Sequence, residues 1–290
     1  MKKVLILGAK GMLGRELIKV FGTGKKYAAI RWDKEEINVT DKNQVWKKII
    51  NLRPDIIINA AAYNAVDKCE KSAPEFNLAK KVNGEAIEYL ANVAQYLNIP
   101  VVHFSTDYVF SGKNRAGYKE GARPSPLNRY AVTKVLGEKN LKKFTQKYYL
   151  IRTSKLFGLP GNSPEAKKSF FQIMLDLAKT QREIKAVDEE LSCFTYVFDL
   201  AKKTREIIER RLPFGVYHIT NSEPVTWYCA AQELFRQTGL AKKIKLSPVS
   251  AKKLARPARR PKYSVLLNTK LKPLRSYKLA LKDFLRQMKI

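Results

Sequence analysis

Lys3-Val4-Leu5-Ile6-Leu7-Gly8-Ala9-Lys10-Gly11-Met12-Leu13-Gly14 lies near the start of the chain. Its unbroken apolar run reads as a strand buried on both faces, the pattern of a parallel sheet. Three glycines follow, and Leu17, Ile18 and Phe21 then recur at helical intervals. A strand, a glycine turn and a helix in that order form a cradle for a pyrophosphate. Glycines let the backbone approach the anion, and the helix N-terminus aims free N–H groups at it. The spacing is Gly8-x-x-Gly11-x-x-Gly14 rather than Gly-x-Gly-x-x-Gly, so a plain glycine turn is the competing reading.

Further along, Tyr27 to Arg31 reads as a second strand, and Asp33 stands 19 residues after Gly14. That is close to the ~20 residues expected for an acid that holds an adenosine ribose. A turn role for Asp33 stays open, and Arg31 or Lys34 would instead suit a 2′-phosphate. Asp41 is placed to cap a helix running to about Asn51. Asp55 to Asn59 is a third strand leading into Ala60-Ala61-Ala62-Tyr63, and Pro74 to Tyr96 a long helix. Pro100 to Phe104 is a fourth strand, with His103 a packed strand residue, and Tyr148 to Arg152 is a fifth. The alternation predicts an α/β fold, a doubly wound parallel sheet.

Past Thr153 the rhythm changes. A flexible loop is expected at Gly158 to Pro164, helices at 169–180, 197–210, 226–238 and 278–288, and strands at Ile184 to Val187 and Val216 to Thr220. We therefore expect a cofactor domain at 1–154, completed by about 184–220. A smaller lobe at 155–183 and 221–290 would lie over the sheet's C-terminal edge, a usual place for a cleft.

Tyr130 and Lys134 share one helix face, one turn apart. A neighbouring ammonium favours a phenolate, so a Tyr paired in this way can pass a proton near neutral pH. The competing reading is a solvated helix surface. Cys69, Cys193 and Cys229 are odd in number and scattered, forming neither a disulfide framework nor a metal motif. With His103 and His218 the only histidines, no metal site is expected. No apolar run approaches the ~20 residues that span a bilayer. Four residues before Gly8 are too few for a signal-peptide core, so a cytoplasmic protein is expected. The net charge is +30, from 56 basic and 26 acidic residues. Residues 241–290 hold 16 Lys or Arg and one acid, Asp283, a net +15. Such a face attracts polyanions; Lys-Lys pairs along the whole chain make a general lysine bias the alternative.

Gly8-x-x-Gly11-x-x-Gly14, Asn59-Ala-Ala-Ala62, Ser105-Thr-Asp-Tyr-Val-Phe110 and Tyr130-x-x-x-Lys134 together resemble the extended short-chain dehydrogenase/reductases. Arg53 to Asn59, Ala65-Val-Asp-Lys68, Pro126-Leu-Asn128, Arg152-Thr-Ser154, Arg256-Pro257 and Tyr263-Ser-Val265 narrow the resemblance to the dTDP-4-dehydrorhamnose reductase family. It covers nearly the whole chain. It implies a Rossmann-type domain, NADPH or NADH as cofactor, and reduction of a 4-keto nucleotide sugar, most simply dTDP-4-dehydro-L-rhamnose.

By resemblance, Tyr130 donates the proton, Lys134 binds the nicotinamide ribose and lowers the Tyr130 pKa, and Thr106 bonds the same oxygen. Met12 and Leu13 lie at the pyrophosphate, Asn38 and Val39 near the adenine, and Ala61, Ala62 and Tyr63 along the ribose and nicotinamide. Val66, Asp107 and Tyr108 line the sugar site. Arg256 carries a positive charge for the substrate. Lys155 stands where the family usually has Trp, facing the sugar or nucleotide. Asn38 replaces an Asp, and Asp188 to Thr195 matches only loosely. Glu16 matches one position of an interfacial Mg²⁺ site, too little to assign a metal.

Three other readings stand beside this one. The first is another nucleotide-sugar epimerase or reductase; the absence of an acid pair after Thr106 counts against a dehydratase. The second is a non-catalytic NADP-binding regulatory subunit like that of methionine adenosyltransferase, against which the intact Thr106, Tyr130 and Lys134 weigh. The third is nucleic-acid binding through the basic tail, for which no specific readout motif is present. No membrane partner is expected. A homodimer is compatible with the chain, whose sequence does not fix its oligomeric state.

Overall fold

The N-terminal run forms β1 (Lys2–Leu7), with its last four side chains buried. The glycine turn leads into α1 (Met12–Gly22), followed by β2 (Tyr27–Trp32), α2 (Lys42–Leu52) and β3 (Ile56–Asn59). The computed structural model describes residues 1–163 and 166–290, so Pro164 of the expected loop lies outside the described residues. After β3 come α3 (Val66–Lys71), α4 (Ala73–Lys80), a π-helical turn (Lys81–Glu85) and α5 (Ala86–Tyr96). Next are β4 (Val101–Thr106), α6 (Arg129–Phe144), β5 (Tyr148–Thr153) and the short β6 (Leu156–Phe157). The rest comprises α7 (Phe170–Thr180), β7 (Glu183–Val187), β8 (Thr195–Tyr196), α8 (Val197–Glu209) and β9 (Gly215–His218). Then follow α9 (Trp227–Gln237), β10 (Lys245–Val249) and α10 (Tyr277–Gln287).

Six strands form one parallel sheet in the order β2-β1-β3-β4-β5-β9. The fold is therefore the expected doubly wound α/β class. From β1 the chain steps first to one side and then to the other. This leaves a switch point between the C-terminal ends of β1 and β3, where such sheets bind ligands. On one face, Leu17 and Phe21 of α1 and Leu200 and Ile207 of α8 pack on Ile6 and Ile58. On the other, Val45 and Ile49 of α2 and Leu90 of α5 pack on Leu5 and Ile57. Strands covered on both faces need apolar residues at every position, so β1 and β3 show no alternation.

A separate aromatic cluster, including Phe157, Phe171, Phe194, Phe235 and Phe284, holds α7, α9 and α10 together. Phe198 packs against both this cluster and the one under α1 and α8. The strand expected near Ile184 forms, but it pairs with β10 in its own two-stranded sheet. Of residues 184–220, β9 joins the main sheet and α8 packs against it, whereas β7 pairs with β10 and β8 with β6. β10 was not read from the sequence because it contains Pro248. In a two-stranded ribbon both strands are edges, and an edge tolerates proline.

The helix expected over 74–96 is interrupted by the π-helical turn. Asn83 and Gly84 are buried there. A Cβ on Gly84 would lie 2.5 Å from Leu136 Cδ2, and one on Gly137 of α6 would lie 2.1 Å from the Asn83 carbonyl oxygen.

Candidate functional site

The glycine turn is shaped by approaches that a Cβ would block. Gly8 has φ +74°, and a Cβ there would sit 2.6 Å from the Ala61 nitrogen. At Gly14 a Cβ would lie 2.0 Å from the Gly8 carbonyl oxygen. Gly11 is the N-cap of α1 and supplies no side-chain acceptor, so the first-turn N–H groups have no side-chain cap. With the helix dipole behind them, these donors and the space kept clear by glycine fit a pyrophosphate. Met12 and Leu13 form the first turn.

Asp33 closes the turn. Its Oδ2 accepts the Lys10 N–H at 2.8 Å and its Oδ1 the Lys34 N–H at 2.9 Å. The turn reading of Asp33 is thus directly visible, and the ribose role is a proposal. Asn38 orders the next turn, its Oδ1 accepting from the Thr40 N–H at 3.0 Å and hydroxyl at 2.8 Å. Val39 and Ala61 pack against the cluster that contains Leu7.

Tyr130 and Lys134 lie on α6, whose cap Asn128 accepts the Ala131 N–H at 2.8 Å and donates to the Arg259 carbonyl at 2.8 Å. Lys134 is buried, and its Nζ donates to the Phe104 carbonyl at 2.7 Å. Burial lowers its pKa to about 8, opposed by Glu138. The Tyr130 hydroxyl donates to Asn64 Oδ1 at 3.5 Å. Burial pushes the phenol's pKa up, Asp107 and Tyr108 add to this, and Thr106 opposes it. The lowering expected from Lys134 is therefore not the dominant effect. Desolvation outweighs it, and the ammonium is engaged by the Phe104 carbonyl.

At the end of β4, the Thr106 hydroxyl donates to Asp107 Oδ1 at 3.1 Å and accepts the Tyr108 N–H at 3.2 Å. Ser264 Oγ donates to Asp107 Oδ2 at 2.6 Å, while burial pushes the Asp107 carboxyl up. Tyr63, Val66 and Tyr108 pack with Cys69 and Tyr130. The structure thus gathers Tyr63, Val66, Thr106, Asp107, Tyr108, Tyr130 and Lys134. The Tyr63 hydroxyl itself donates to Glu75.

Lys155 follows β5 with φ +40°. Its Nζ lies 4.0 Å from the Trp227 ring centre and 5.0 Å from that of Phe194, and donates to the Glu190 carbonyl at 3.2 Å. Arg256 forks onto the Glu190 carboxylate, with Nη1 at 3.1 Å from Oε2. Trp227 Nε1 donates to the same oxygen at 2.9 Å. Arg256 is thus already neutralised within the chain. Glu16, matched by resemblance to a metal position, takes Lys19 Nζ at 2.7 Å.

Asn83 was missed. It accepts the Tyr63 N–H at 2.9 Å, and its Nδ2 donates to the Tyr63 carbonyl at 3.0 Å and to Thr133 Oγ1 at 3.0 Å. Thr133 in turn donates to the Tyr130 carbonyl at 2.7 Å. Arg260, whose two terminal nitrogens each lie 2.6 Å from an Asp67 oxygen, was also missed, as was Glu190. An asparagine inside a helix pattern and a single acid in a loop carry no local signal; their roles arise from distant pairings.

Comparison with known proteins gives one coherent result. The family model described as RmlD substrate binding domain matches residues 1–290. The spore coat polysaccharide biosynthesis protein SpsK of Bacillus subtilis is 33% identical over 99% of this chain and 98% of its own. A solved dTDP-4-dehydrorhamnose reductase from Clostridium acetobutylicum superposes with TM-score 0.92 at 34% identity, covering 99% of this chain and 100% of the other. That of Bacillus anthracis, solved in complex with NADP, gives 0.91 at 32%, with the same coverage.

Proposed function

The chain belongs to the RmlD substrate binding domain family, that of the dTDP-4-dehydrorhamnose reductases, and from that premise we propose that it reduces dTDP-4-dehydro-L-rhamnose to dTDP-L-rhamnose. It is an NAD(P)H-dependent oxidoreductase acting on a nucleotide-sugar ketone. One observation supports the assignment of roles most directly. Gly8 abuts Ala61, and Asn83 ties the adjoining Tyr63 backbone to Thr133 and so to Tyr130. These contacts support the reading that the glycine cradle and the acid serve one site.

When bound in the cradle, the reduced nicotinamide supplies the hydride. Gly8, Gly11, Met12, Leu13 and Gly14 hold the pyrophosphate. Asp33, Asn38 and Val39 flank the adenosine, and Ala61, Ala62 and Tyr63 the nicotinamide side. The raised pKa keeps the Tyr130 phenol protonated at neutral pH, ready to donate its proton to the sugar C4 oxygen as negative charge develops there. The Thr106 hydroxyl, whose one proton rests on Asp107 in the free protein, turns to donate it in a hydrogen bond to that oxygen. Lys134 holds the ribose, and its charge stabilises the phenolate left behind. Val66, Asp107, Tyr108, Lys155 and Arg256 line the sugar nucleotide. We assign the cofactor to residues 1–154 with α8 and β9, and the sugar to the remainder, β7 included.

The test is absorbance at the reduced-nicotinamide band, with purified protein, NADPH or NADH, and dTDP-4-dehydro-L-rhamnose. Rapid oxidation is expected, and its rate with each cofactor gives the preference. No oxidation by a protein that still binds cofactor would overturn the substrate assignment. Tyr130→Phe should cut turnover by about 10²–10⁴ while leaving cofactor fluorescence titrations unchanged. Retained turnover would remove Tyr130 from the acid role.

A further inference from the structure

We infer that Glu138 is a positioning residue of the reaction: clamped by Arg152 and Ser105, its carboxylate fixes α6 against the end of β4 and supplies the counter-charge to Lys134. The inference rests on the reductase reading for the roles of Lys134 and Thr106, and names what holds them in place.

Tyr130, Lys134 and Glu138 follow one another at intervals of four on α6, so they share a face. The last two hang on consecutive residues of β4. Lys134 Nζ donates to the Phe104 carbonyl at 2.7 Å, and Glu138 Oε1 accepts from Ser105 Oγ at 2.7 Å. Thr106 comes next along the strand, and its hydroxyl acts on the Tyr130 phenol. A change in how Glu138 seats on β4 would therefore move Lys134 and Thr106 relative to each other.

The seat is completed from β5. Arg152 pairs in register with Ser105, and its Nε and Nη2 reach the two Glu138 oxygens at 2.9 and 2.6 Å. Its Nη1 donates to the Glu120 carbonyl at 3.2 Å and lies 3.5 Å from His218 Nε2. The Phe110 ring covers the guanidinium at 5.0 Å. The two side chains are only 1% and 2% exposed. A buried ion pair of this kind adds little net stability, because desolvation offsets the attraction and apolar replacements are often neutral or better. What the pair gives is geometry: a bidentate fork fixes the orientation of α6 against β4 and β5.

The charges around Lys134 agree with this. Burial disfavours its ammonium, and Glu138 is the acid that opposes the effect. His103 of β4 also faces the ammonium but is neutral, its pKa lowered by burial and by Lys134. Acids on the other elements around α6 act on other groups. Glu70 accepts the Arg129 N–H, Glu75 the Tyr63 hydroxyl, and Asp67 binds Arg260. Asp107 accepts from Thr106 and Ser264, while Glu85 and Glu88 act on Tyr89. Arg152 is held on the Glu138 carboxylate itself.

Glu138→Gln alone would strand the buried Arg152 charge, so the main variant is Glu138→Gln/Arg152→Met, which removes both charges. NADPH affinity is read by nicotinamide fluorescence from pH 6 to 10, and urea midpoints establish that the variant is folded. As pH rises, its affinity should begin to weaken about one pH unit lower than that of the wild type, because the ammonium has lost its counter-charge. A folded double variant with the wild-type onset would overturn the inference, since a merely structural pair would leave the titration of Lys134 untouched. Ser105→Ala keeps the ion pair and releases only the seat on β4. Its kcat with NADPH and dTDP-4-dehydro-L-rhamnose should fall about fivefold or more, with the NADPH onset unchanged. A wild-type kcat in this variant would equally overturn the inference, and this measurement decides it if the double variant does not fold. Absence of turnover by the wild type would sink the reductase reading alone, because the NADPH titration of the double variant still decides the inference.

Discussion

Lys134 shows how environment and role oppose each other at a single residue. Its ammonium is needed to hold a ribose, yet burial favours the neutral amine, and the pKa falls from the usual 10.5 to about 8. For a base with a folded pKa below its unfolded one, the buried charge costs stability below pH 8. That cost is relieved as pH rises from 8 towards 10.5, because the unfolded chain then binds more protons. Cofactor binding should run the other way. In fluorescence titrations, NADPH affinity should be flat from pH 6.5 to about 7.5 and weaken about tenfold per unit well above pH 8, and Lys134→Met should remove the dependence. His103 faces the same ammonium but is neutral throughout this range, its pKa being pushed down by burial and by Lys134. Undiminished wild-type affinity at pH 9.5 would exclude a charge-dependent role for Lys134. This residue and Tyr130 were legible because their chemistry depends on a local spacing. Asn83 was not, since its partners Tyr63 and Thr133 are 20 and 50 residues away.

At the level of elements, α6 is positioned by how closely it approaches the π-helical turn. Gly137 meets the Asn83 backbone, whereas Gly84 meets only the Leu136 side chain. A side chain can rotate away, but a backbone carbonyl on a packed helix cannot without moving the helix. Gly137→Ala should therefore destabilise by about 1–3 kcal/mol and lower kcat, because α6 carries Tyr130. Gly84→Ala should cost less, for the helix-propensity gain of alanine offsets part of the crowding. Urea midpoints of the two variants test this, and equal midpoints would show that the crossing yields. The inner strands were legible because they are buried on both faces and read as apolar runs, as in β1 and β3. The π-helical turn had no signal, as its extra residue is fixed by tertiary bonds of Asn83. β10 was hidden by Pro248, acceptable only because the ribbon has no third strand.

For the whole molecule, the open question is what the charge of +30 does. Part of the basic tail acts as internal ties. Lys245 pairs with Glu183, Arg256 with Glu190, Arg260 with Asp67, Arg275 with Asp199 and Asp283, and Lys278 with Glu223. Apart from Arg275–Asp283, which lies within the tail, these pairs bind the tail back over earlier parts of the chain, which composition alone did not reveal. The remaining excess, including the exposed Lys242, Lys243, Lys252, Lys253 and Lys282, contributes a long-range field. Both proposed ligands are polyanions, so that field raises their local concentration and speeds capture. Salt shortens its reach from about 14 Å at ~0.05 M to about 4 Å at ~0.5 M. Over that range KM for both NADPH and the sugar nucleotide should rise about threefold or more, with kcat changing far less, since a saturated site no longer depends on capture. Circular dichroism at each salt concentration would establish that the fold is unchanged. A KM that stays flat would show that the excess lysines are merely solvated and that recognition rests on short-range contacts in the cleft.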